Sequence, residues 1–302
     1  NAILSRFVVV ELLMAFYSPL RYPGGKGKLS YYIKALIKEN NLFDGHYLEP
    51  YAGGAGVALE LLMEEYVRKI HINDIDPAIF SFWHSVLYET EDLCRLINDT
   101  PVDMTTWHEQ KAVLANPDQH SSLQIGFATF FLNRTNRSGI LKAGVIGGKE
   151  QSGQWKLDVR YQKNELLRRI NEIASYQSRI GLSNVDSAEL IKSLPQGPHN
   201  NTLVYLDPPY YAKGQDLYRN FYNHQDHVEI MRALKSSSIK NWIVSYDNVD
   251  AIREIYKDFR VLEYSLQYTA QQKKIGEEVM IFSNDVLIPN VRLGKSIDVS
   301  EV

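Results

Sequence analysis

The chain has 302 residues, of which 44% are hydrophobic and 23% charged, which is enough apolar material for one large core or for a core with a modest second lobe. Its formal net charge of -3 argues against a uniformly basic nucleic-acid-binding protein, and its single cysteine, Cys94, excludes an intramolecular disulfide and a cysteine-rich metal site. No apolar run reaches the roughly 18 residues that a membrane span needs, so we expect a protein of the reducing cytoplasm without a membrane partner.

Short apolar runs that end in acidic, glycine or proline residues alternate with amphipathic segments of helical length, which is typical of an α/β sheet. The predicted strands span residues 47–49, 69–73, 179–183, 202–206 and 242–245. The predicted helices span residues 29–38, 55–66, 77–88, 166–175, 224–234 and 250–256. Two runs rich in β-branched and aromatic residues, 261–268 and 279–282, predict a C-terminal hairpin. We therefore predict a doubly wound α/β fold with a mostly parallel sheet.

The interval between residues 84 and 160 breaks this alternation and contains several glycines. Between Arg134 and Arg169, nine Lys or Arg residues stand against three acidic ones, a local balance of +6, so the rest of the chain sums to -9. The sequence therefore predicts a basic lobe at 84–160, inserted between the two parts of an α/β domain at 16–83 and 161–284. Residues 1–15 and 285–302 are expected to be terminal extensions.

Two glycine-containing segments flank the first predicted strand. Residues 19–26 read Pro-Leu-Arg-Tyr-Pro-Gly-Gly-Lys, and residues 48–56 read Leu-Glu-Pro-Tyr-Ala-Gly-Gly-Ala-Gly. Glycines after a strand often cradle phosphates, but neither segment has Gly-x-Gly-x-x-Gly spacing or the Ser/Thr of a P-loop. A phosphate loop is therefore a weak interpretation of these glycines.

Acidic residues follow the second and third predicted strands. Asp74 lies about 20 residues beyond the glycine loop, the distance at which an acid typically meets ribose hydroxyls. Asp76 precedes Pro77 and fits a helix N-cap, which is the alternative for this pair. Asp186 also has two possible roles: it could contact a ligand, or it could cap a helix that starts at residue 187.

The most specific motif is Asp207-Pro208-Pro209-Tyr210, directly after the apolar run 202–206. Two prolines cannot continue a central strand, so the chain turns and leaves the Asp207 carboxylate and the Pro208 carbonyl at the carboxyl end of the sheet, where open α/β sheets bind ligands. Both groups are acceptors, and an extruded amino group such as adenine N6 offers two hydrogens. Accepting both would aim the nitrogen lone pair at an electrophilic methyl, and Tyr210 would supply a face for base stacking.

This motif resembles the catalytic motif of the Dam-type (D12 class) N6-adenine-specific DNA methyltransferases. The segments at 19–26 and 48–56 resemble that family's amino-terminal cofactor segment and its glycine loop, in the same order, and the likeness covers most of residues 16–284. Ala55 departs from the pattern, because the family usually has a glycine there. The resemblance implies a Rossmann-like methyltransferase fold with Asp207, Pro208 and Tyr210 as catalytic residues.

The resemblance also implies S-adenosylmethionine as the cofactor. Lys26 would lie near both the cofactor carboxylate and Asp207, Glu49 near the cationic end of the methionine part, and Asp186 near the amino group of the cofactor's adenine. The residues expected to bind the cofactor are Tyr22, Lys26, Glu49, Tyr51, Gly53, Asp74, Asp186 and Asp207.

In this family the segment between the second and third strands recognises the target DNA. Arg and Asn side chains suit bidentate contacts to base edges, whereas Lys holds phosphates. The residues expected to contact DNA are Arg134, Asn136, Arg137 and Lys149. Double-stranded DNA is the expected partner and a cognate restriction endonuclease a further candidate, while the oligomeric state stays open.

The expected function is site-specific methyl transfer to N6 of adenine in DNA. Two alternatives stay open: the same chemistry on an RNA adenine or a protein amide, whose enzymes more often carry Asn in place of Asp207, and a catalytically silent DNA-binding homologue. His224 and His227, with their acidic neighbours, have the spacing of a pair of metal ligands. An acid-rich helix N-terminus explains this pattern more simply, so we expect no metal.

Overall fold

The computed structural model describes residues 17–21, 26–194, 201–212, 222–268 and 274–293. Within these ranges the strands are β1 (Gly45–Glu49), β2 (Val67–Asn73), β3 (Ile180–Ser183), β4 (Thr202–Leu206), β5 (Asn241–Asp247), β6 (Arg260–Tyr268) and β7 (Lys274–Phe282). The helices are α1 (Ser30–Glu39), α2 (Gly56–Met63), α3 (Pro77–Tyr88), α4 (Thr90–Asp99), α5 (Met104–Ala115), α6 (Ser122–Thr135), α7 (Lys163–Ser175), α8 (Ser187–Ser193), α9 (His224–Ser236) and α10 (Asp250–Ile255). A short 3-10 helix, Lys26–Leu29, precedes α1. Every helix within these ranges is too short or too polar to cross a bilayer.

These strands form one sheet in the order β3-β2-β1-β4-β5-β7-β6. Strands β1 to β5 run parallel to their neighbours, β7 is antiparallel to β5, and β6 pairs antiparallel with β7 at the edge. After β1 the chain winds outward through β2 and β3, then returns to build β4 and β5 on the other side of β1. The direction of winding reverses between β1 and β4, so the carboxyl ends of these two strands flank the place where such sheets bind ligands.

Alternate residues of the central strands face opposite layers of helices. On β4, Leu203 and Tyr205 pack in a cluster with α1, α2, α3 and α6, whereas Val204 and Leu206 pack with α8, α9 and α10. A parallel strand that is covered on both faces reads as a continuous apolar run, and this is why β4 could be located from the sequence. The fold is the predicted α/β, Rossmann-like sheet with an antiparallel C-terminal hairpin.

The segment between α3 and α7 contains three helices, α4, α5 and α6, that the sequence did not predict. Helix α6 is buried on all sides from Gly126 to Thr135, so it lacks the one-sided apolar stripe by which helices are recognised. Its crossing with α3 is close, since a Cβ on Gly126 would lie 2.6 Å from the carbonyl oxygen of Ser81. Helix α6 also shares a core cluster with α2 and α3 of the α/β part, and the proposed division at 84–160 stays a prediction.

The other predicted elements agree with the structure within a few residues at each end. Residues 77–88 and 202–206 coincide with α3 and β4, and the predicted hairpin extends to the full length of β6 and β7. Asp76 caps α3 as expected, because its side chain accepts a hydrogen bond from the Ala78 N–H at 2.9 Å.

Candidate active site at the carboxyl ends of β1 and β4

Asp207 directly follows β4 and lies at the reversal point of the sheet. Its Oδ1 accepts a hydrogen bond from the Ser245 hydroxyl at 2.8 Å, and that hydroxyl is 3.0 Å from the hydroxyl of Tyr205 on β4. The hydrogen bond from Ser245 and the ion pair with Lys26 both lie at Oδ1, and the side chain is 22% exposed. The Asp207 carboxylate is therefore held through Oδ1, and Oδ2 is the oxygen that a ligand could engage.

Lys26 brings a positive charge to the same place. Its Nζ lies 3.4 Å from Asp207 Oδ1 and 2.8 Å from the Tyr210 hydroxyl, although the residues are far apart in the chain. Burial alone would lower the pKa of Lys26, but Asp207, Tyr264, Glu278 and Tyr210 together hold it well above its usual value. The ammonium group is therefore charged, and it lies beside Asp207 as the resemblance implied.

Glu278 on β7 is a member of this cluster that sequence reasoning missed. It is 2% exposed, and its carboxylate accepts hydrogen bonds from the hydroxyls of Tyr210 and Tyr264, each at 2.7 Å. Lys26 Nζ lies 3.0 Å from its Oε2. The signal was a carboxylate directly before the apolar run 279–282, but no local pattern predicts which residues it contacts.

The pKa of Asp207 reflects these neighbours. Burial raises this pKa above its usual value and Glu278 adds to the rise, whereas Lys26 and Ser245 partly offset it. The ionised form depends on Lys26 and Ser245, so the positions of both matter for the charge at the site.

Glu49 ends β1 beside Asp207 and presents an unpaired oxygen. Its Oε1 accepts a hydrogen bond from the Tyr47 hydroxyl at 2.9 Å, whereas Oε2 is buried with no hydrogen-bond partner. Burial raises the pKa of Glu49 to about 8, and the Asp207 charge contributes to the rise. A buried carboxylate oxygen without a partner is costly, and a cationic ligand would satisfy it.

The glycine loop after β1 is tied to Asp74 after β2. The Gly53 N–H donates to Asp74 Oδ2 at 2.8 Å, and Gly53 adopts a φ of 46°. Burial raises the pKa of Asp74 to about 7, although two backbone N–H groups oppose the rise. Ala55 also adopts a left-handed φ of 49°, a conformation that costs less for glycine than for alanine.

A cavity of about 180 Å³ lies beside Ile75, the residue after Asp74. Its lining includes Ile75, Asp186, Ala188 and Tyr222. Asp186 accepts hydrogen bonds from the N–H groups of Ala188 and Glu189 through Oδ1, so it caps α8 while it borders the cavity. The two alternatives for Asp186 are thus compatible, because Oδ2 is not used by the cap.

Tyr51 also reaches this region. Its hydroxyl lies 2.9 Å from the hydroxyl of Tyr222, with the rings edge to face. Tyr22, the remaining predicted cofactor residue, lies outside the described residues. The structure thus brings Lys26, Glu49 and Asp207 into one cluster and arranges Tyr51, Gly53, Asp74 and Asp186 along the adjoining strand ends.

A second carboxylate that the sequence analysis missed, Asp247, holds the chain just beyond the Asp207 turn. Asp247 ends β5 and is 4% exposed. Its Oδ1 accepts from the Tyr211 N–H at 2.8 Å and its Oδ2 from the Ala212 N–H at 2.9 Å. Asp247 is also the register partner of Glu278 across the β5–β7 pair, so two buried carboxylates at one sheet position contact residues 210–212.

The predicted DNA-contacting residues divide into two groups. Arg134 is 8% exposed and donates to the Pro19 carbonyl at 2.7 Å, and Asn136 is fully buried. The Asn136 amide accepts from Trp107 Nε1 at 2.7 Å and donates to the carbonyls of Ile140 and Leu141. Neither side chain is accessible to a base in this conformation, because packing of α6 against α5 and residues 18–21 encloses both.

Arg137 and Lys149, by contrast, are exposed. Lys142, Lys156 and Arg160 are exposed on the same chain segment, together with Trp155, which is 61% exposed. The Gln151 side chain organises this segment, since it donates to the carbonyls of Ile146 and Gly148 and accepts from the Leu157 N–H. The basic surface is therefore carried by an ordered loop.

His224 and His227 take part in aromatic packing. His227 Nδ1 lies 3.0 Å from the Tyr246 hydroxyl and His224 Nδ1 lies 3.0 Å from the Tyr211 hydroxyl. No cluster of three or more metal-ligating side chains occurs in the part of the chain that the structure describes.

The fold and this cluster define the class of protein. A doubly wound sheet with an Asp-Pro-Pro-Tyr turn, a buried carboxylate and a lysine at its reversal point is the arrangement of an S-adenosylmethionine-dependent methyltransferase. The model of the D12 class N6 adenine-specific DNA methyltransferase family matches residues 22–270, and the chain belongs to that family.

Solved structures that resemble the chain include the rRNA methyltransferase aviRa from Streptomyces viridochromogenes, at 16% identity, with 92% of this chain and 94% of that chain covered and a TM-score of 0.38. The putative methyltransferase yhhF from Escherichia coli is 10% identical, with coverage of 88% and 91% and a TM-score of 0.38. None of the curated proteins compared with this chain matches it.

The residues present fit S-adenosylmethionine. The unpaired Glu49 Oε2 suits an ammonium group, the Asp74 carboxylate suits ribose hydroxyls, and the cavity beside Ile75 and Asp186 offers apolar walls and a carboxylate to an adenine ring. When bound there, the cofactor supplies an electrophilic methyl group on a sulfonium.

Proposed function

We propose that this protein transfers a methyl group from S-adenosylmethionine to N6 of adenine at a specific site in double-stranded DNA. The observation that carries the proposal is Asp207, which is anchored through Oδ1 and open at Oδ2, in an Asp-Pro-Pro-Tyr turn beside Glu49. An extruded adenine would donate one N6 hydrogen to Asp207 and the other to the Pro208 carbonyl.

In this proposal the protein positions a nucleophile and does not deprotonate it beforehand. A neutral amine attacks a sulfonium without prior loss of a proton, so Asp207 acts as an orienting acceptor, and the nitrogen releases its proton after transfer. Tyr210 offers its ring to the base while its hydroxyl is held by Glu278. The side chains of Glu49, Asp74 and Asp186 would hold the cofactor at the ends of β1, β2 and β3.

The exposed basic loop suits the phosphates of a DNA duplex. Arg137 and Lys149 are the two predicted contacts that are accessible, and Trp155 adds an exposed aromatic face among basic neighbours. Arg134 and Asn136 would instead shape the interface from within the fold.

The test is single-molecule, modification-aware sequencing of unmethylated DNA after incubation with the purified protein and S-adenosylmethionine. N6-methyladenine at one recurring short site would support the proposal, and N4-methylcytosine would contradict it. Cofactor binding without any DNA methylation would redirect the assignment to an RNA adenine or a protein amide. The Asp207→Ala variant serves as the negative control.

A further inference from the structure

Glu278 occupies the centre of the buried polar cluster behind the proposed adenine pocket. Its two oxygens contact three side chains from three parts of the chain: Lys26, Tyr210 and Tyr264. Lys26 Nζ is 3.0 Å from Glu278 Oε2 and 3.3 Å from Oε1, whereas its distance to Asp207 Oδ1 is 3.4 Å. The ammonium group therefore sits closer to Glu278 than to Asp207.

The position of the Lys26 ammonium between Glu278 and Asp207 determines how the charges at this site are balanced. Lys26 and Glu278 are each 2% exposed in their side chains, so their charges are little screened by water. The positive charge of Lys26 and the negative charge of Glu278 cancel, so the net negative charge of the cluster is that of the Asp207 carboxylate. Without the charge of Glu278, Lys26 would be drawn to Asp207 and would compete with an incoming amine for its oxygens.

We propose that Glu278 is a positioning residue for methyl transfer, which retains the Lys26 ammonium and the Tyr210 hydroxyl so that Asp207 keeps an oxygen for the target amine. The inference rests on the proposed function for the identity of that amine. Glu278 itself does not touch the substrate. It acts through Lys26 and through the ring orientation of Tyr210.

The groups that face Asp207 come from every neighbouring strand. Lys26 lies on the 3-10 helix before α1, Glu49 and Tyr47 on β1, Tyr205 on β4, Ser245 on β5, Glu278 on β7 and Tyr210 in the turn itself. Tyr264 on β6 contacts Glu278 and reaches Asp207 only through it. Glu278 raises the pKa of Asp207 and Lys26 lowers it. Removing the Glu278 charge lowers the pKa of Asp207 directly, and a closer approach of Lys26 lowers it further.

The first measurement is independent of the methyl acceptor. The carboxyl carbon of Asp207, labelled with carbon-13 and assigned with Asp207→Asn, is titrated by NMR in the wild-type protein and in Glu278→Gln. We expect the titration midpoint of the Asp207 carboxyl group to be lower by about one pH unit or more in Glu278→Gln than in the wild type. A midpoint unchanged within about 0.3 units would overturn the inference, whatever the acceptor proves to be.

The second measurement uses turnover. We expect Glu278→Gln to lower kcat at least about tenfold while KM for S-adenosylmethionine changes less than about threefold. Glu263→Gln is the matched control, because it makes the same chemical change in the same hairpin at a side chain that is 63% exposed. It should behave as the wild type.

Glu278→Asp covers the case in which Glu278→Gln does not fold. It keeps the buried charge but shortens the side chain, so Lys26 and Tyr210 lose their geometry while the charge balance is retained. We expect a lower kcat and a lower Asp207 midpoint, and wild-type values of both would overturn the inference. A wild-type protein that methylates no DNA but shows the NMR shift would refute the proposed function alone.

Discussion

Asp207 is held in place by Ser245 and Lys26 through one oxygen, and this arrangement determines what the residue can do. The hydrogen bond from Ser245 and the ion pair with Lys26 both lie at Oδ1, so the lone pairs of Oδ2 can accept a hydrogen from a ligand beside the sheet edge. The neighbouring prolines keep the chain from continuing the strand, so the carboxylate stays at the sheet edge.

Replacing Asp207 with Ala removes this acceptor without filling the pocket. We expect turnover to fall at least about 100-fold, because the amine would no longer be oriented, while cofactor affinity changes less than about threefold. Transfer of a labelled methyl group and calorimetry with S-adenosylhomocysteine measure the two quantities. Asp258→Ala, at an exposed ion pair with Lys235, is the control, and full activity in Asp207→Ala would refute the mechanism.

At the scale of elements, the β5–β7 pair acts as a support for the turn after β4. Asp247 accepts two backbone N–H groups of residues 211 and 212, and its register partner Glu278 accepts the hydroxyl of Tyr210. The strand that enters the sheet antiparallel thus supplies part of the active site.

Asp247→Asn tests this support, because an amide has one acceptor oxygen in place of two. One of the two backbone N–H groups would lose its partner, and we expect the free energy of unfolding to fall by about 1–3 kcal/mol. We also expect kcat to fall more than cofactor affinity. Urea unfolding and steady-state kinetics give these values. A variant that matches the wild type in both would show that the turn does not depend on the hydrogen bonds to Asp247.

The packing of α6 against α5 depends on Asn136, whose amide joins Trp107 to the turn after α6. Asn136→Ala would leave the buried Trp107 N–H without its partner and would remove one of the hydrogen bonds to each of the Ile140 and Leu141 carbonyls, so we expect a loss of about 2 kcal/mol in the free energy of unfolding. Asn98→Ala, at an exposed position, should change it by less than about 0.5 kcal/mol. Unchanged stability with a loss of DNA affinity in Asn136→Ala would favour the direct base contact that the sequence suggested.

The whole molecule combines several buried carboxyl groups, so its stability should depend on pH. Burial raises the pKa of Glu49 to about 8 and that of Asp74 to about 7. The folded state therefore binds more protons than the unfolded state between the unfolded values near 4 and these folded values, and stability falls as pH rises through that window. His227, whose pKa burial lowers to about 4, acts in the opposite direction, but only below its unfolded value near 6.5.

We expect the free energy of unfolding without cofactor to fall by about 2 kcal/mol between pH 6.5 and pH 8. Glu49→Gln should flatten this dependence, because it removes the carboxyl group with the higher pKa. S-adenosylhomocysteine should flatten it as well, since an ammonium beside Glu49 favours the ionised form. Urea unfolding at the two pH values measures the slope, and an equal slope in the wild type and in Glu49→Gln would contradict the assignment.

Because the net charge of the chain is -3, its affinity for DNA would depend on where the basic residues lie on the surface and not on the total charge. Lys149→Ala should weaken binding to all sequences about equally and lower the slope of log affinity against log salt by about 1, because a phosphate contact releases about one counterion. Fluorescence anisotropy over a range of salt concentrations measures the slope. Lys257→Ala, an exposed lysine outside the basic loop, is the control, and the same slope in Lys149→Ala and the wild type would remove Lys149 from the interface.

Local patterns in the sequence determined the central sheet, the hairpin, the turn at Asp207 and the cap at Asp76, because burial periodicity and proline geometry act within a few residues. Glu49 and Asp207 could be grouped in advance because strand ends in such a sheet converge on one edge, whereas Lys26 was placed beside Asp207 only by the resemblance to the family. Only the tertiary structure decided that Glu278, Ser245 and Asp247 support that site and that Asn136 faces the interior. Lys26 and Glu278 are separated by 252 positions, and no local pattern records a contact that exists only after the β5–β7 pair has closed the sheet. Helix α6 was not predicted from the sequence because its neighbours enclose it on all sides, so its residues show no one-sided apolar stripe.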